Sequence, residues 1–231
     1  MKPGAPLGAA LFDLDGTLLD TAPDFAYALN ALRRECALSA LPFAPIRAQV
    51  SNGAAAVLRL GFPDAGEEQF AQLRARFLQL YRLHLARETR PFPGFDEVLK
   101  ALEANRIPWG IITNKPAWLT EPLLQQLGLF GRAGCVLSGD SLPVTKPDPL
   151  PLITAAQKIG LPPNRCLYLG DALRDAQAAR AAGMTSLGAR FGYIGAAEDV
   201  SGWPVDAWLD EPQELLAWVG LTASGAARAG A

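Results

Sequence analysis

The sequence predicts an α/β fold, a parallel sheet flanked by helices, interrupted early by an inserted all-helical cap domain. Two observations predict it. From residue 95 onward, short apolar runs of strand length alternate with stretches of helical periodicity. Such alternation is the pattern of right-handed crossovers that build a parallel sheet with helices on both faces. Between the first apolar run and this alternation, residues 21–89 carry helical patterns only. The expected division is therefore a core of residues 1–20 and 90–221, a helical cap of residues 21–89, and a loose tail over residues 222–231 rich in small side chains.

The elements follow in order. Residues 8–12 are a short apolar run, one buried strand ending in Asp13-Leu14-Asp15-Gly16-Thr17. Residues 22–36 read as a helix with Thr21 as N-cap and Pro23 in the first turn. A second helical region, 45–60, is broken near Ser51-Asn52-Gly53. The third, 67–87, places Phe70, Leu73, Phe77, Leu80 and Tyr81 on one apolar stripe. His84, the chain's one histidine, continues that stripe and reads as a packed residue rather than a zinc ligand. Beyond Arg90-Pro91-Phe92-Pro93-Gly94 come a helix at 95–105, a strand at 107–113, and a helix that Pro122 sets to begin after Thr120 and run to Gly128. Strands at 134–138, 166–169, 185–188 and 207–209 then alternate with helices at 148–159, 175–182 and 212–219.

Composition bounds the function. The chain has 231 residues, 50% of them apolar and 19% charged, with a net charge of −2. That excludes the basic surface expected of a nucleic-acid-binding protein. Three scattered cysteines make neither a disulfide framework nor a metal knuckle, and Cys135 and Cys166, in apolar runs, read as small buried residues. No apolar stretch is long enough to span a membrane, and the N-terminus leads into the first strand without a secretory segment. A cytoplasmic protein is expected.

In open parallel sheets ligands bind at the carboxyl ends of the strands, and here each predicted core strand delivers a polar group to that edge. The first delivers Asp13 and Asp15; the second, Thr113-Asn114-Lys115 as hydroxyl, backbone N–H and amide donors. Lys146 lies beyond the third, and Asp171 with Asp175 follows the fourth. Crowded carboxylates at one sheet edge are costly without a cation, and a hard ion with oxygen ligands, Mg²⁺ above all, is the natural partner.

The run Asp13-Leu14-Asp15-Gly16-Thr17, followed in order by Thr113, Lys146 and Gly170-Asp171 with Asp175, resembles the motifs of the haloacid dehalogenase superfamily. The resemblance covers nearly the whole chain. It implies a Rossmann-like core and a Mg²⁺-dependent phosphatase acting on a small phosphorylated metabolite, with neither nucleic acid nor membrane as partner. Asp13 is then the nucleophile that forms an aspartyl-phosphate, and Asp15 the general acid and base, a role that neighbouring carboxylates could tune by raising its pKa. Asp13, Asp171 and the Asp15 backbone carbonyl hold the metal, with Asp175 as a ligand or a partner of the ligands. Thr113, the Asn114 N–H and Lys146 bind the phosphoryl oxygens. One departure is visible: Ala172 stands where relatives often carry a hydroxyl or amide. Within the superfamily the chain is similar to the phosphoglycolate phosphatase-like group. Stretches such as Val50-Ser51-Asn52-Gly53-Ala54 and Trp109-Gly110-Ile111-Ile112-Thr113-Asn114-Lys115-Pro116 bring it nearer to bacterial N-acetylmuramic acid 6-phosphate phosphatases of peptidoglycan recycling. Phosphoglycolate is the alternative substrate; a dehalogenase, a sugar-phosphate mutase and a non-catalytic binding protein rank below. In the cap, the turn at Asn52 and Gly53 is expected to face the core site, and Arg47 or Arg59 to pair with a substrate carboxylate.

Overall fold

In the computed structural model, which describes residues 7–195 and 198–222, the first apolar run is the central strand. β1 (Ala9–Phe12) is buried along its whole length, as an all-apolar strand sandwiched between helix layers must be. Five more parallel strands join it: β4 (Trp109–Ile112), β5 (Cys135–Leu137), β6 (Cys166–Gly170), β7 (Thr185–Ala189) and β8 (Ala207–Leu209). Their order is β5-β4-β1-β6-β7-β8. The chain fills one side of β1 first and then crosses to the other, so the direction of winding reverses at β1. Phe12, its last residue, pairs with Ile111 of β4 and Leu169 of β6.

Alternation along β1 sends Ala10 and Phe12 to one face and Ala9 and Leu11 to the other. Phe12 meets Phe95 edge-on, ring centroids 5.4 Å apart, beneath α5 (Phe95–Ala104) and the 3₁₀ segment Pro212–Val219. On the opposite face, Leu11 packs in one cluster with Leu152 of α7 (Leu150–Ile159) and Ala178 and Ala179 of α8 (Leu173–Ala182). Cys135 and Cys166 belong to this second cluster, and burial pushes both thiols up to about 11.

The helical insertion leaves and re-enters the core through a ribbon that the sequence pattern did not reveal. β2 (Leu19–Asp20) pairs antiparallel with β3 (Arg90–Pro91); two-residue strands carry no periodicity to read. Between them lie α1 (Ala22–Glu35), α2 (Phe43–Arg47), a 3₁₀ turn (Val50–Asn52), α3 (Gly53–Gly61) and α4 (Glu67–His84). The expected break at Ser51–Gly53 is therefore the junction of two helices. Leu73, Phe77 and Tyr81 of α4 are buried, and Phe77 and Tyr81 pack against Phe25 of α1. His84 is packed as expected: its Nδ1 lies 3.0 Å from Asp24 Oδ1 and its ring stacks on Tyr27 at 3.6 Å. Asp24, fully buried, also accepts from the Glu88 and Thr89 backbone N–H groups and the Thr89 hydroxyl, which fastens α1 to the returning linker.

One helix begins earlier than the sequence suggested. α6 (Ala117–Gln126) contains Pro122 in its interior, with Thr120 inside the helix rather than capping it. A proline there removes the N–H that would have bonded the carbonyl four residues back. That carbonyl belongs to Trp118, and it accepts instead from Arg82 Nη1 of α4 at 2.7 Å. Thr120 donates its hydroxyl to the Pro116 carbonyl. A cap side chain thus supplies the bond that the core helix lacks.

Among the described residues, no helix is long and apolar enough to cross a membrane. The tail expected over residues 222–231 lies, beyond Thr222, outside the described residues.

Candidate active site

The winding reversal at β1 places three strand ends side by side, and the polar groups of the sequence converge there. Asp13 follows β1, Thr113 follows β4 and Asp171 follows β6. Lys146 arrives from the loop between β5 and α7, and Asp175 from the first turn of α8. All five are buried. Gly16 makes the convergence possible. Its φ is +84°, a left-handed value, and a Cβ there would lie 2.2 Å from Asp171 Oδ2.

Carboxylate oxygens of Asp13, Asp171 and Asp175 all lie within 4.8 Å of one another. Lys146 answers part of this charge: its Nζ is 2.8 Å from Asp13 Oδ1, 2.7 Å from Asp175 Oδ1 and 2.7 Å from the Tyr168 hydroxyl. The ammonium donates to Tyr168, which passes its own proton to the Ile112 carbonyl. It forms ion pairs with the two carboxylates, of which Asp175 Oδ1 has no hydrogen-bond partner among the described residues. Burial alone would lower the Lys146 pKa, but Asp13 and Asp175 outweigh it and hold it above the ordinary value. Asp13 is pushed up to about 7 by burial, with Asp175 and Asp171 adding to the rise and Lys146 opposing it. Asp171 is raised to about 6 by burial and Asp175, against hydrogen bonds from Ser51 Oγ, the Tyr193 N–H and Thr17 Oγ1.

Three carboxylates against one ammonium leave two negative charges in a buried space when all are ionised. The donor set is all oxygen. Both features fit a hard divalent cation of the Mg²⁺ type. At position 172 alanine leaves α8 without a side-chain N-cap bond, while the Ala172 backbone N–H donates to Asp175 Oδ2 at 3.0 Å.

Asp15 stands apart from the acidic group. The neighbours expected to crowd it were carboxylates; the structure gives it an ammonium. Lys115 Nζ donates to Asp15 Oδ1 at 2.8 Å, and Thr21 Oγ1 to the same oxygen at 2.6 Å. The reason is local. β1 ends at Phe12 and the chain turns at Gly16, so strand alternation does not carry Asp15 to the same place as Asp13. Carboxylate crowding falls on Asp13 instead. Lys115 also donates to the Tyr81 hydroxyl at 2.8 Å, and its ammonium lies 4.8 and 4.7 Å from the Phe25 and Tyr81 ring centroids. It is a core residue wrapped by two cap aromatics.

Asn114 plays a different part from the one its amide suggested. The side chain clasps the Lys146 backbone, donating to its carbonyl at 2.9 Å and accepting from its N–H at 3.1 Å. The amide is thereby occupied in holding Lys146. Thr113 is buried at the strand end, its hydroxyl accepting from the Lys115 N–H.

Above these residues lies a cavity of about 610 Å³, lined from the core by Asp13, Asp15, Thr113 and Lys146 and from the cap by Ser51, Asn52, Gly53 and Ala54. Ser51 reaches furthest, donating to Asp171 at 2.6 Å. Neither cap arginine singled out from the sequence faces this cavity. Arg47 donates to the Phe191 and Gly192 carbonyls, with its guanidinium 4.7 Å from the Tyr193 ring centroid. Arg59 donates to the Ala65 carbonyl and lies 3.9 Å over the Phe70 ring. Backbone carbonyls and ring faces within reach claim both. The arginines that do line the cavity are Arg74 and Arg174, and Arg174 donates to the Ser51 carbonyl. Sequence reasoning passed over Tyr168 and Arg74, and named Lys115 and Ser51 only within their motifs, with no role of their own. Tyr168 carried a signal, a lone hydroxyl in an apolar strand; Lys115 carried another, a cation directly following Thr113-Asn114.

Comparison with known proteins agrees with this arrangement. The sequence profile of the haloacid dehalogenase-like hydrolases matches residues 7–183. The chain is 39% identical over 211 residues to the N-acetylmuramic acid 6-phosphate phosphatase of Pseudomonas aeruginosa, covering 91% of this chain and 93% of that one. It is 40% identical over 205 residues to the phosphoglycolate phosphatase of Xylella fastidiosa, covering 89% and 90%. Among solved structures, a predicted phosphoglycolate phosphatase from Haemophilus somnus superposes with a TM-score of 0.79 at 28% identity, covering 89% of this chain and 94% of that one. Sheet order, strand-end chemistry and sequence thus agree, and the chain belongs to the haloacid dehalogenase-like hydrolases.

Proposed function

We propose that this protein is a Mg²⁺-dependent phosphomonoesterase that works through an aspartyl-phosphate on Asp13, with N-acetylmuramic acid 6-phosphate as its substrate. The observation that carries the reading is the Asp13 carboxylate, held by Lys146 and the Leu14 N–H through Oδ1 at the floor of the cavity. Its second oxygen is then the one to attack phosphorus. Asp13, Asp171 and the Asp15 backbone carbonyl would hold the cation, with Asp175 as ligand or as anchor of Lys146. When bound, the cation neutralises phosphoryl charge and draws nucleophile and phosphate together.

The chain's own residues account for the remainder. Lys146 and Thr113, with the Asn114 N–H, bind the phosphoryl oxygens and hold phosphorus in line with Asp13. The Asp13 oxygen forms a bond to phosphorus while the bond to the sugar oxygen breaks, and Asp15 delivers a proton to that leaving oxygen. Both protein donors to Asp15 fall on Oδ1, which leaves Oδ2 for the ester oxygen. Asp15 then takes a proton from the water that attacks phosphorus, releasing inorganic phosphate and restoring the Asp13 carboxylate.

Relatives at 39% and 40% identity carry two different substrate names, so identity does not separate them. Size does favour one. A cavity of about 610 Å³ falls in the ~300–1,000 Å³ range of sites that enclose drug-sized ligands; a two-carbon acid phosphate would leave most of it to water. The test is hydrolysis of both esters with Mg²⁺ and with EDTA, by wild type and Asp13→Asn. EDTA is expected to abolish activity and Asp13→Asn to lose at least ~10²–10³-fold while staying folded. Near-wild-type turnover by Asp13→Asn or in EDTA overturns the mechanism. A preference for 2-phosphoglycolate of about tenfold or more, roughly 1.4 kcal/mol in transition-state binding, overturns the amino-sugar assignment.

A further inference from the structure

Three cavity-lining features have no part in the phosphoryl chemistry. Arg74, on α4, is exposed. The other two arginines of that helix are engaged: Arg76 pairs with Glu35 and Arg82 donates to the Trp118 carbonyl. Among the described residues Arg74 has no hydrogen bond, ion pair or ring contact. Trp118, in the first turn of α6, lines the same cavity and is 47% exposed. Leu78, also lining the cavity, stands between Arg74 and Arg82 at four-residue spacing, so the three share one face of α4. The Arg82 bond to Trp118 fixes that face against the core.

Of the four cations that line the cavity, Lys115 is paired with Asp15 and Arg174 donates to the Ser51 carbonyl, which leaves Lys146 and Arg74 as two cations of different kind. At the floor, Lys146 is almost completely buried, its side chain 1% exposed, and is committed to the phosphate end. At the mouth, Arg74 is exposed and, among the described residues, unpaired, and small or apolar residues, Ala54, Ala55 and Leu78 among them, line the same cavity. A ligand that satisfies both ends carries two separated anionic groups joined by a body with an apolar face. An indole offers such a face a stacking platform, and a guanidinium binds a carboxylate through two parallel hydrogen bonds.

We propose that Arg74 and Trp118 form a second subsite at the mouth, where Arg74 takes the carboxylate and Trp118 the ring of a phosphorylated sugar acid. This rests on the phosphatase reading above and replaces the sequence-based assignment of the carboxylate to Arg47 or Arg59, whose guanidinium groups are engaged elsewhere.

The test compares kcat/KM for N-acetylmuramic acid 6-phosphate, for N-acetylglucosamine 6-phosphate, which is the same sugar without the lactyl ether that carries the carboxylate, and for ringless 2-phosphoglycolate. In Arg74→Met the ratio of the first to the second is expected to fall at least tenfold, mostly through KM. In Trp118→Ala the ratio of N-acetylglucosamine 6-phosphate to 2-phosphoglycolate is expected to fall at least fivefold. An Arg74→Met ratio equal to wild type overturns the carboxylate contact, and an unchanged Trp118→Ala ratio overturns the ring contact. A wild-type chain that hydrolyses none of the three esters removes the phosphatase reading, and the subsite with it. Hydrolysis with unchanged ratios in both variants removes the subsite alone.

Discussion

At the scale of single residues, the site is organised by two lysines with opposite loyalties. Lys146 is locked into the core: its ammonium donates to Tyr168 and pairs with Asp13 and Asp175, and its backbone is clasped by Asn114. Lys115 faces the cap, with one bond to Asp15 and one to Tyr81. The Tyr168 hydroxyl has no chemical role in the reaction, yet it accepts from Lys146 and donates to the Ile112 carbonyl in a fully buried setting. Removing it strands a charged donor and a carbonyl together. Tyr168→Phe is therefore expected to destabilise the protein by about 1–3 kcal/mol, measured by urea unfolding. A loss within ~0.5 kcal/mol, the usual range of a surface change, would show that Lys146 finds another acceptor at no cost.

At the scale of elements, the contact between α4 and α6 joins cap to core through a defect. Pro122 leaves the Trp118 carbonyl without its helical donor, and Arg82 fills the gap from the cap. The two features predict their own coupling. Arg82→Met alone is expected to cost about 0.5–1.5 kcal/mol, the net worth of one hydrogen bond. With Pro122→Ala, residue 122 regains an N–H that can bond Trp118 within the helix, and Arg82→Met should then cost much less. A double-mutant cycle in urea checks this; strictly additive effects would contradict it. This is also where the sequence was least legible. Proline in a helical stretch reads as a boundary, because its compensation comes from a residue 40 positions away in the chain. Arg47 and Arg59 show the same limit: an arginine in a cap is visible in a sequence, but the carbonyl and ring that capture it are set by docking. What was legible was whatever depends on strand ends. Asp13, Thr113 and Asp171 follow apolar runs directly and Lys146 lies in the loop beyond another, and a parallel sheet brings the ends of its strands to one edge regardless of detail.

At the scale of the whole molecule, the buried charge imbalance sets how the fold responds to a cation. Three clustered carboxylates share one lysine, so divalent binding to the folded state alone should stabilise it. At a free Mg²⁺ concentration of ~100 Kd the gain is ~2.7 kcal/mol, which in a chain of this size is several degrees in Tm. Asp171→Ala should lose most of that shift, measured by calorimetry with Mg²⁺ against EDTA. A Tm rise equal in wild type and Asp171→Ala would place the cation elsewhere. The cap shares in this charge centre, because Ser51 bonds Asp171 while Lys115 bonds both Asp15 and Tyr81. Cap position and site geometry are thus parts of one hydrogen-bonded arrangement.

The central claim is that Asp13 becomes phosphorylated and Asp15 handles the protons. Its most direct test is an acid quench of the Asp15→Asn variant during incubation with Mg²⁺ and a phosphate ester that has a good leaving group, followed by peptide mass spectrometry. A good leaving group needs no proton to depart, whereas the water that clears the phosphoenzyme needs a base, so the intermediate should accumulate. The account predicts a phosphoryl group on Asp13 that hydroxylamine removes. Leaving-group release in the first turnover with no phosphorylated protein, or with the phosphoryl group on any other residue, would contradict it.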